Sequence, residues 1–204
     1  MVTQTPTVFI VHAEAEARNQ IHGIVEAAGL RAQSYADAAV FLDELRIDQP
    51  GCVVIGARVR SQSVVEVHDA LAKLGARLPV VAVAAEGDVL SAVSALKAGA
   101  ADVIEGPLLP RSVVPVVLRA LAADLASRSS RLGQDAVRLR YAQLTPRECE
   151  VLTLVIEGKT SSAIGTRLGI GAKTVDIYRS HINKKMQVRN AVQAIETAKQ
   201  RIAA

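Results

Sequence analysis

Seven residues between positions 173 and 184 have the types and spacing to contact duplex DNA. At about 100° per residue, Lys173, Ile177, Ser180 and Lys184 share one face of a helix. Asp176 and His181 flank that face, and Thr174 joins it in the first turn. Lys173 and Lys184 suit phosphates, which fix register without reading sequence. Ile177 is apolar on an otherwise polar face and suits a thymine methyl, while the Asp176 carboxylate can accept from cytosine N4. Asp176 also repels phosphate, so it argues both ways. The opposite face, Val175, Tyr178, Ile182 and Met186, is an apolar stripe that wants burial. Arg179 lies nearer that stripe, within reach of a phosphate or an acid. The plain alternative is a solvated helix face with one stray isoleucine, and the elements around the helix decide between the two.

Those elements read as a helix-turn-helix. Thr145, Pro146 and Glu148 supply an N-cap, a first-turn proline and a capping-box partner. Val151, Leu152 and Val155 follow at helical spacing, and Gly158 supplies a stop. A second short helix is expected from Ser161 to Leu168, with Ile164 and Leu168 inward. Gly169-Ile170-Gly171 makes the turn, and a third helix opens near Lys173. A final helix is expected to open with Asn190 and Gln193 as caps. Its stripe Ala191, Ala194, Ile195, Ala198 and Ile202 packs inward or forms a dimer contact.

Leu144–Glu148, Gly158, Ile164, Leu168, Thr174-Val175 and Lys185-Met186 resemble the signature of the LuxR/FixJ/NarL-type DNA-binding domain. The resemblance covers about the last sixty residues. It implies a four-helix domain whose third helix binds DNA, with some dimer contact through the last helix. Ser161, Ser162 and Ala163 stand where that family usually has Asn-Lys-Glu, Gly171 where it has Ser, and Tyr178 where it has His. Ala163 lacks a capping carboxylate, and Gly171 caps less well than Ser.

Composition bounds the rest. The 204 residues are half apolar, with 2% aromatic residues and no Trp. Two small domains are expected, with cores of Val, Leu, Ile and Ala and no stacking platform for single strands. Residues 1–125 carry 10 basic and 14 acidic side chains, 126–140 carry 4 and 1, and 141–204 carry 10 and 5. An acidic front and a basic back suit a regulatory domain joined to a nucleic-acid-binding one. No apolar run approaches the length of a membrane span, and the N-terminus does not read as a signal peptide. Cys52 and Cys149 show no metal spacing and fit a reducing cytoplasm. No nucleophile–base pair, metal cluster or phosphate-binding glycine loop argues for an enzyme, and no cofactor is implied.

The front alternates short apolar runs with amphipathic segments. Strands are expected at Thr7–His12, Arg31–Tyr35, Gly51–Gly56, Pro79–Ala84 and Ala101–Glu105. Helices are expected at Glu14–Ala28, Ala36–Asp48, Ser63–Gly75, Asp88–Ala98 and from Pro110 onward. Five β/α repeats imply an α/β fold, a five-stranded parallel doubly wound sheet, followed by the all-α helix-turn-helix domain.

Val8–Val11, Pro79–Val83, Glu86–Val89, Lys97–Asp102 and Ile104–Pro107 resemble the receiver domain of two-component response regulators. The order receiver then LuxR-type domain is similar to the FixJ/NarL subfamily over nearly the whole chain. A receiver uses an acidic pair after its first strand to hold Mg²⁺; the resemblance puts His12 and Ala13 there. It puts Gly56 at the phosphoryl-accepting Asp, Ala84 at the Ser/Thr, Gly106 at the Lys and Val103 at the aromatic switch. Glycine offers no nucleophile, and Glu14 alone is a poor Mg²⁺ site. The expectation is a pseudo-receiver whose phosphorylation site is not functional. His12 reads either as a metal or pH-sensing group or as a hydrogen-bonded structural residue. Arg58 and Arg60 read as anion-binding or pocket-filling groups, or as solvated loop charges.

Leu118, Leu125, Leu132 and Leu139 are seven apart, with Leu121 between the first two. Heptad spacing suggests a continuous helix able to pair with a second chain. Arg128 and Asp135 on the seam and Gly133 in the middle weaken that reading, and 127–133 reads alternatively as a flexible linker. The boundaries expected are 1–125 for the receiver-like domain, 126–140 for a helical linker and 141–204 for the DNA-binding domain. Two functions remain open. One is a transcription regulator that binds duplex DNA as a homodimer independently of receiver phosphorylation. The other is an interaction protein whose pseudo-receiver binds a protein or small ligand and whose helix-turn-helix is weak on DNA because of Asp176 and Ser180.

Overall fold

A computed structural model of the chain describes residues 5–56, 58–59 and 62–188. The chain divides into two units, Met1–Ser127 and Arg128–Ala204. In the first, β1 (Thr7–Val11), β2 (Arg31–Tyr35), β3 (Gly51–Gly56), β6 (Val80–Ala84) and β7 (Asp102–Glu105) form one parallel sheet. Its strand order is β2-β1-β3-β6-β7. Helices α1 (Ala15–Ala27), α2 (Ala38–Glu44), α3 (Val64–Lys73), α4 (Val89–Lys97) and α5 (Pro110–Ala142) alternate with the strands.

A parallel sheet covered on both faces needs strands that are apolar throughout, and β1, β3 and β6 are buried at every residue. Their side chains alternate between two cores. Phe9, Val11, Val53, Ile55, Val80 and Ala82 pack with Phe41 of α2, Val67 and Leu71 of α3, and Ala95 of α4. Val8, Ile10, Cys52, Val54, Val81 and Val83 pack with Ile21 and Val25 of α1 and Val113, Val117 and Ala120 of α5. The sole aromatic cluster among the described residues, Phe9, Phe41 and Tyr35, lies on the first face, with ring centroids 5.5 Å apart in each adjoining pair.

The elements match the sequence reading with local corrections. β1 ends at Val11 rather than His12, β6 begins at Val80 and β7 at Asp102. Pro79 has no N–H for the ladder, although its carbonyl accepts from Val53 N. Helix α2 covers Ala38–Glu44, well short of the expected 36–48. Asp37 caps it by accepting from Ala39 N, and Leu45 turns extended at ψ 124°, which ends it. The two-stranded antiparallel ribbon of β4 (Arg58–Val59) and β5 (Gln62–Ser63) was not read from the sequence. Arg60 and the Arg58 side chain lie outside the described residues, as does the expected final helix with Asn190 and Gln193.

Helix α5 runs unbroken through Gly133. Within the first unit it is anchored by Asp124, 2% exposed, whose Oδ2 accepts from Gly51 N at 3.0 Å. The Arg119 guanidinium also donates to Asp102 Oδ2 at 2.6 Å. Cys52 is fully buried, and burial together with the Asp124 carboxylate pushes its thiol up to about 12. It is a packing residue, since the thiolate is the reactive form.

The second unit contains α6 (Pro146–Ile156), α7 (Ser161–Leu168) and α8 (Ala172–Met186). Val151, Leu152, Val155, Ile164, Val175, Ile182 and Met186 form its core with Val137 and Leu144. Leu168 and Tyr178 pack against that core while partly exposed.

Candidate functional sites

The register brings the ends of β1, β3 and β6 side by side: Val11 pairs with Ile55, and Gly56 with Val83. Strand order reverses between β1 and β3, where ligands of open α/β sheets bind. His12 follows β1 and Gly56 ends β3 at that point. A Cβ built on Gly56 would lie 2.6 Å from His12 Cδ2 and 2.8 Å from its Nε2. The imidazole therefore occupies the space into which any side chain at 56 would project.

The ring is held there. Glu14 N donates to His12 Nδ1 at 3.2 Å, which places the proton of the neutral ring on Nε2. His12 N donates to Tyr35 O, and Arg18 Nη1 donates to His12 O at 2.7 Å and to Ala13 O at 3.2 Å. Arg18 has no counterpart in the sequence reading, since only the folded loop brings it back over residues 12 and 13. Ala84 is buried, its carbonyl accepts from Gly106 N, and Val103 packs partly into the core. A cavity of about 580 Å³ opens here, lined by His12, Glu14, Glu86, Asp88 and Gly106 among others. Ser91, through its side chain and backbone N–H, holds the Asp88 carboxyl below the usual range. Mg²⁺ wants several oxygen ligands at octahedral geometry. No group of three or more His, Cys, Asp or Glu among the described residues is arranged to hold a metal ion.

In the second unit, the capping box read from the sequence is complete. Glu148 N donates to Thr145 Oγ1, and Thr145 N donates to Glu148 Oε2 at 2.7 Å. The same Oε2 accepts from Lys185 Nζ at 2.7 Å, joining the start of α6 to the end of α8. Arg147 Nη2 donates to Leu168 O at 2.6 Å, capping the end of α7. Thr160 caps α7 by accepting from Ala163 N, and Ala163 has no carboxylate to return the reciprocal bond that Glu148 makes to Thr145 N. The Thr-Ser-Ser-Ala spelling at 160–163 was a signal for that cap. The turn closes on Gly169, at φ 67°, and on Gly165, where a Cβ would come within 2.6 Å of Ile170 O. Gly171 caps α8 without a side-chain bond.

Helix α8 leaves Lys173, Thr174, Asp176, Ile177, Ser180, His181 and Lys184 exposed together, with Ile177 at 56%. Val175, Ile182 and Met186 are buried behind them. Asp176 Oδ1 accepts from Ser161 Oγ at 2.6 Å, and Ser161 Oγ accepts from Arg179 Nη1 at 2.8 Å. Sequence reasoning did not find this relay, because its members lie up to 18 residues apart.

Residues 8–117 match the response regulator receiver domain, and residues 142–198 match the bacterial regulatory proteins of the luxR family. The chain belongs to the response-regulator family. It is similar to the C4-dicarboxylate transport transcriptional regulatory protein DctR of Rhodobacter capsulatus, 34% identical over 90% of this chain and 94% of that protein. It is also similar to the transcriptional regulatory protein FixJ of Azorhizobium caulinodans, at 29% over 94% and 90%. Among solved structures, the response regulator StyR superposes with a TM-score of 0.83 at 29% identity, over 96% of this chain and 99% of that one. Full-length FixJ from B. japonicum gives 0.60 at 25% identity, over 99% and 100%. The regulator is thus a response-regulator transcription factor with a LuxR-type DNA-binding domain, and its relatives are regulators of transcription rather than enzymes. No helix among its described residues is long and apolar enough to cross a membrane.

The Glu148 clamp has a pH signature. Burial pushes this carboxyl up, but hydrogen bonds from Lys185 and Thr145 outweigh that and hold it below the usual range. A folded-state value below the unfolded one contributes stability above the unfolded value, about 4.3, and loses it as pH falls through the folded one. Thermal melts of the regulator should therefore show a loss of stability in the second unit below about pH 5. Glu148→Gln should remove that pH dependence and cost about 1–3 kcal/mol at pH 7. Equal stability of the two proteins at pH 7 would show that the clamp contributes nothing.

Proposed function

We propose that this regulator binds duplex DNA as a homodimer and does so without phosphorylation of its receiver unit. The observation that supports this best is the His12 ring packed against Gly56, in the space a phosphoryl-accepting side chain would need. Residues 1–125 then act as a pseudo-receiver, 126–140 as a helical linker and 141–204 as the DNA-binding domain. His12, Ala13, Gly56, Ala84 and Gly106 are the positions of a phosphorylation site that does not function. Lys173 and Lys184 contact phosphate, Ile177 meets a thymine methyl, and Thr174, Asp176, Ser180 and His181 line the same groove-facing surface. The cytoplasm is the compartment this reading implies.

Dimerisation is supported by α5. Leu118, Leu125, Leu132 and Leu139 are 49%, 66%, 64% and 69% exposed. Four leucines at heptad spacing on the exposed side of one helix suit a parallel partner. Leu118 and Leu125 are dispensable to the receiver core, which uses Val113, Val116, Val117 and Ala120 of the same helix. The signal in place of phosphorylation is a protein or small ligand, and the cavity beside His12 and Asp88 is large enough for the latter.

Incubation with acetyl phosphate or a phosphoramidate and Mg²⁺ should leave the mass of the intact protein unchanged; a stoichiometric phosphoryl shift within residues 1–125 would refute phosphorylation independence. In salt-dependent DNA-binding assays, Lys184→Ala should weaken specific and random duplexes alike and lower the salt slope by about one. Ile177→Ala should change preference at one base position, by about 1–3 kcal/mol at most. Unchanged binding in both variants would show that the wrong face of α8 has been assigned to the groove. Purified without any donor, the full-length protein should sediment as a dimer at micromolar concentration. Leu118→Gln with Leu125→Gln should lower both dimer fraction and operator affinity while the receiver unit stays folded. A monomer that still binds its operator tightly would rule the built-in dimer out.

A further inference from the structure

The relay through Ser161 fixes more than the position of two helices. An ionised Asp176 can only accept and Arg179 can only donate, so the single hydroxyl proton of Ser161 must point at Asp176. Asp176 Oδ1 is thereby occupied, at 2.6 Å, and the carboxylate is held in one rotamer. No bond to Oδ2 is made among the described residues, and Asp176 is exposed on α8. The Arg179 guanidinium, bonded to the other side of the same serine, offsets the repulsion between this carboxylate and phosphate.

We propose that Ser161 and Arg179, both half-buried, are positioning residues for base readout by Asp176, and that the base selected presents an amino group in the major groove. This rests on α8 being the groove-entering helix. A locked acceptor favours cytosine N4 or adenine N6 and disfavours the guanine and thymine carbonyl oxygens. A carboxylate free to rotate discriminates less, because its orientation must be fixed at the moment of binding.

The test is selection of full-length protein on a randomised duplex library, with thermal melts in parallel. The native protein should enrich cytosine or adenine at one position of each half-site. Ser161→Ala should lower that enrichment about tenfold and leave other positions alone. Ser161→Thr, which keeps the hydroxyl, should restore it. Asp176→Asn is the sharper variant. Its Oδ1 still accepts from Ser161, so Nδ2 faces outward as a donor, and preference at that position should switch to guanine or thymine. Lowered melting with unchanged preference in Ser161→Ala and Asp176→Asn would overturn the proposal and leave the relay a brace between α7 and α8. Sequence-specific binding by the native protein with guanine or thymine already enriched there would overturn it while sparing the DNA-binding reading. Absence of any sequence preference in the native protein would overturn both.

Discussion

Glu148 is the constraint on which the presentation of α8 depends. A carboxylate 3% exposed must be paired to stay ionised, and its partners come from both ends of the motif. Thr145 belongs to the start of α6, while Lys185 comes from the last turn of α8. One oxygen accepts from both, so neither helix end can move without stranding a buried charge. Arg147 extends the arrangement by holding the last carbonyl of α7. The three helices are thus joined at their ends by charge-assisted bonds and along their faces by aliphatic packing. The surface they leave outside carries two lysines, an isoleucine and several small polar groups.

The receiver-like unit meets its own constraint differently. Every strand in the middle of the sheet is committed to two cores, so chemistry is confined to strand ends and loops. At the carboxyl end, backbone pairing uses Ala84 and Gly106, and the imidazole of His12 fills the space beside Gly56. His12 accepts from Glu14 N of its own loop and from Arg18 of α1, and donates through its backbone to Tyr35 of β2. Only the bond from Glu14 N involves its ring; the others are made by its backbone.

Legibility followed the range of the interactions. The capping box at Thr145 and Glu148 spans three residues and was read directly. So were the strands at 31–35 and 51–56, the second an apolar run, and the limits of α7. The length of α2 was misjudged because the Asp37 side-chain cap and the extended backbone at Leu45 set its ends, and apolar periodicity records neither. Strand order, the Lys185 clamp across 37 residues and the Ser161 relay are tertiary facts. Their residues were visible in the sequence, but nothing local says which acid meets which base. Asp176 shows the gap most clearly. Sequence alone left it as a charge that argued both ways about DNA contact, and could not show that Ser161 donates to it while accepting from Arg179.

The contact between His12 and Gly56 makes the order of substitutions matter. An aspartate introduced at 56 first would collide with a ring that the Glu14 N–H holds through Nδ1. Removing the ring first would leave the Glu14 N–H without its acceptor and open a gap at the end of β1. Either path passes through a worse-packed intermediate, so neither change is reached by a single neutral step. Positions 12 and 56 are therefore coupled: what can stand at one depends on how the other is filled.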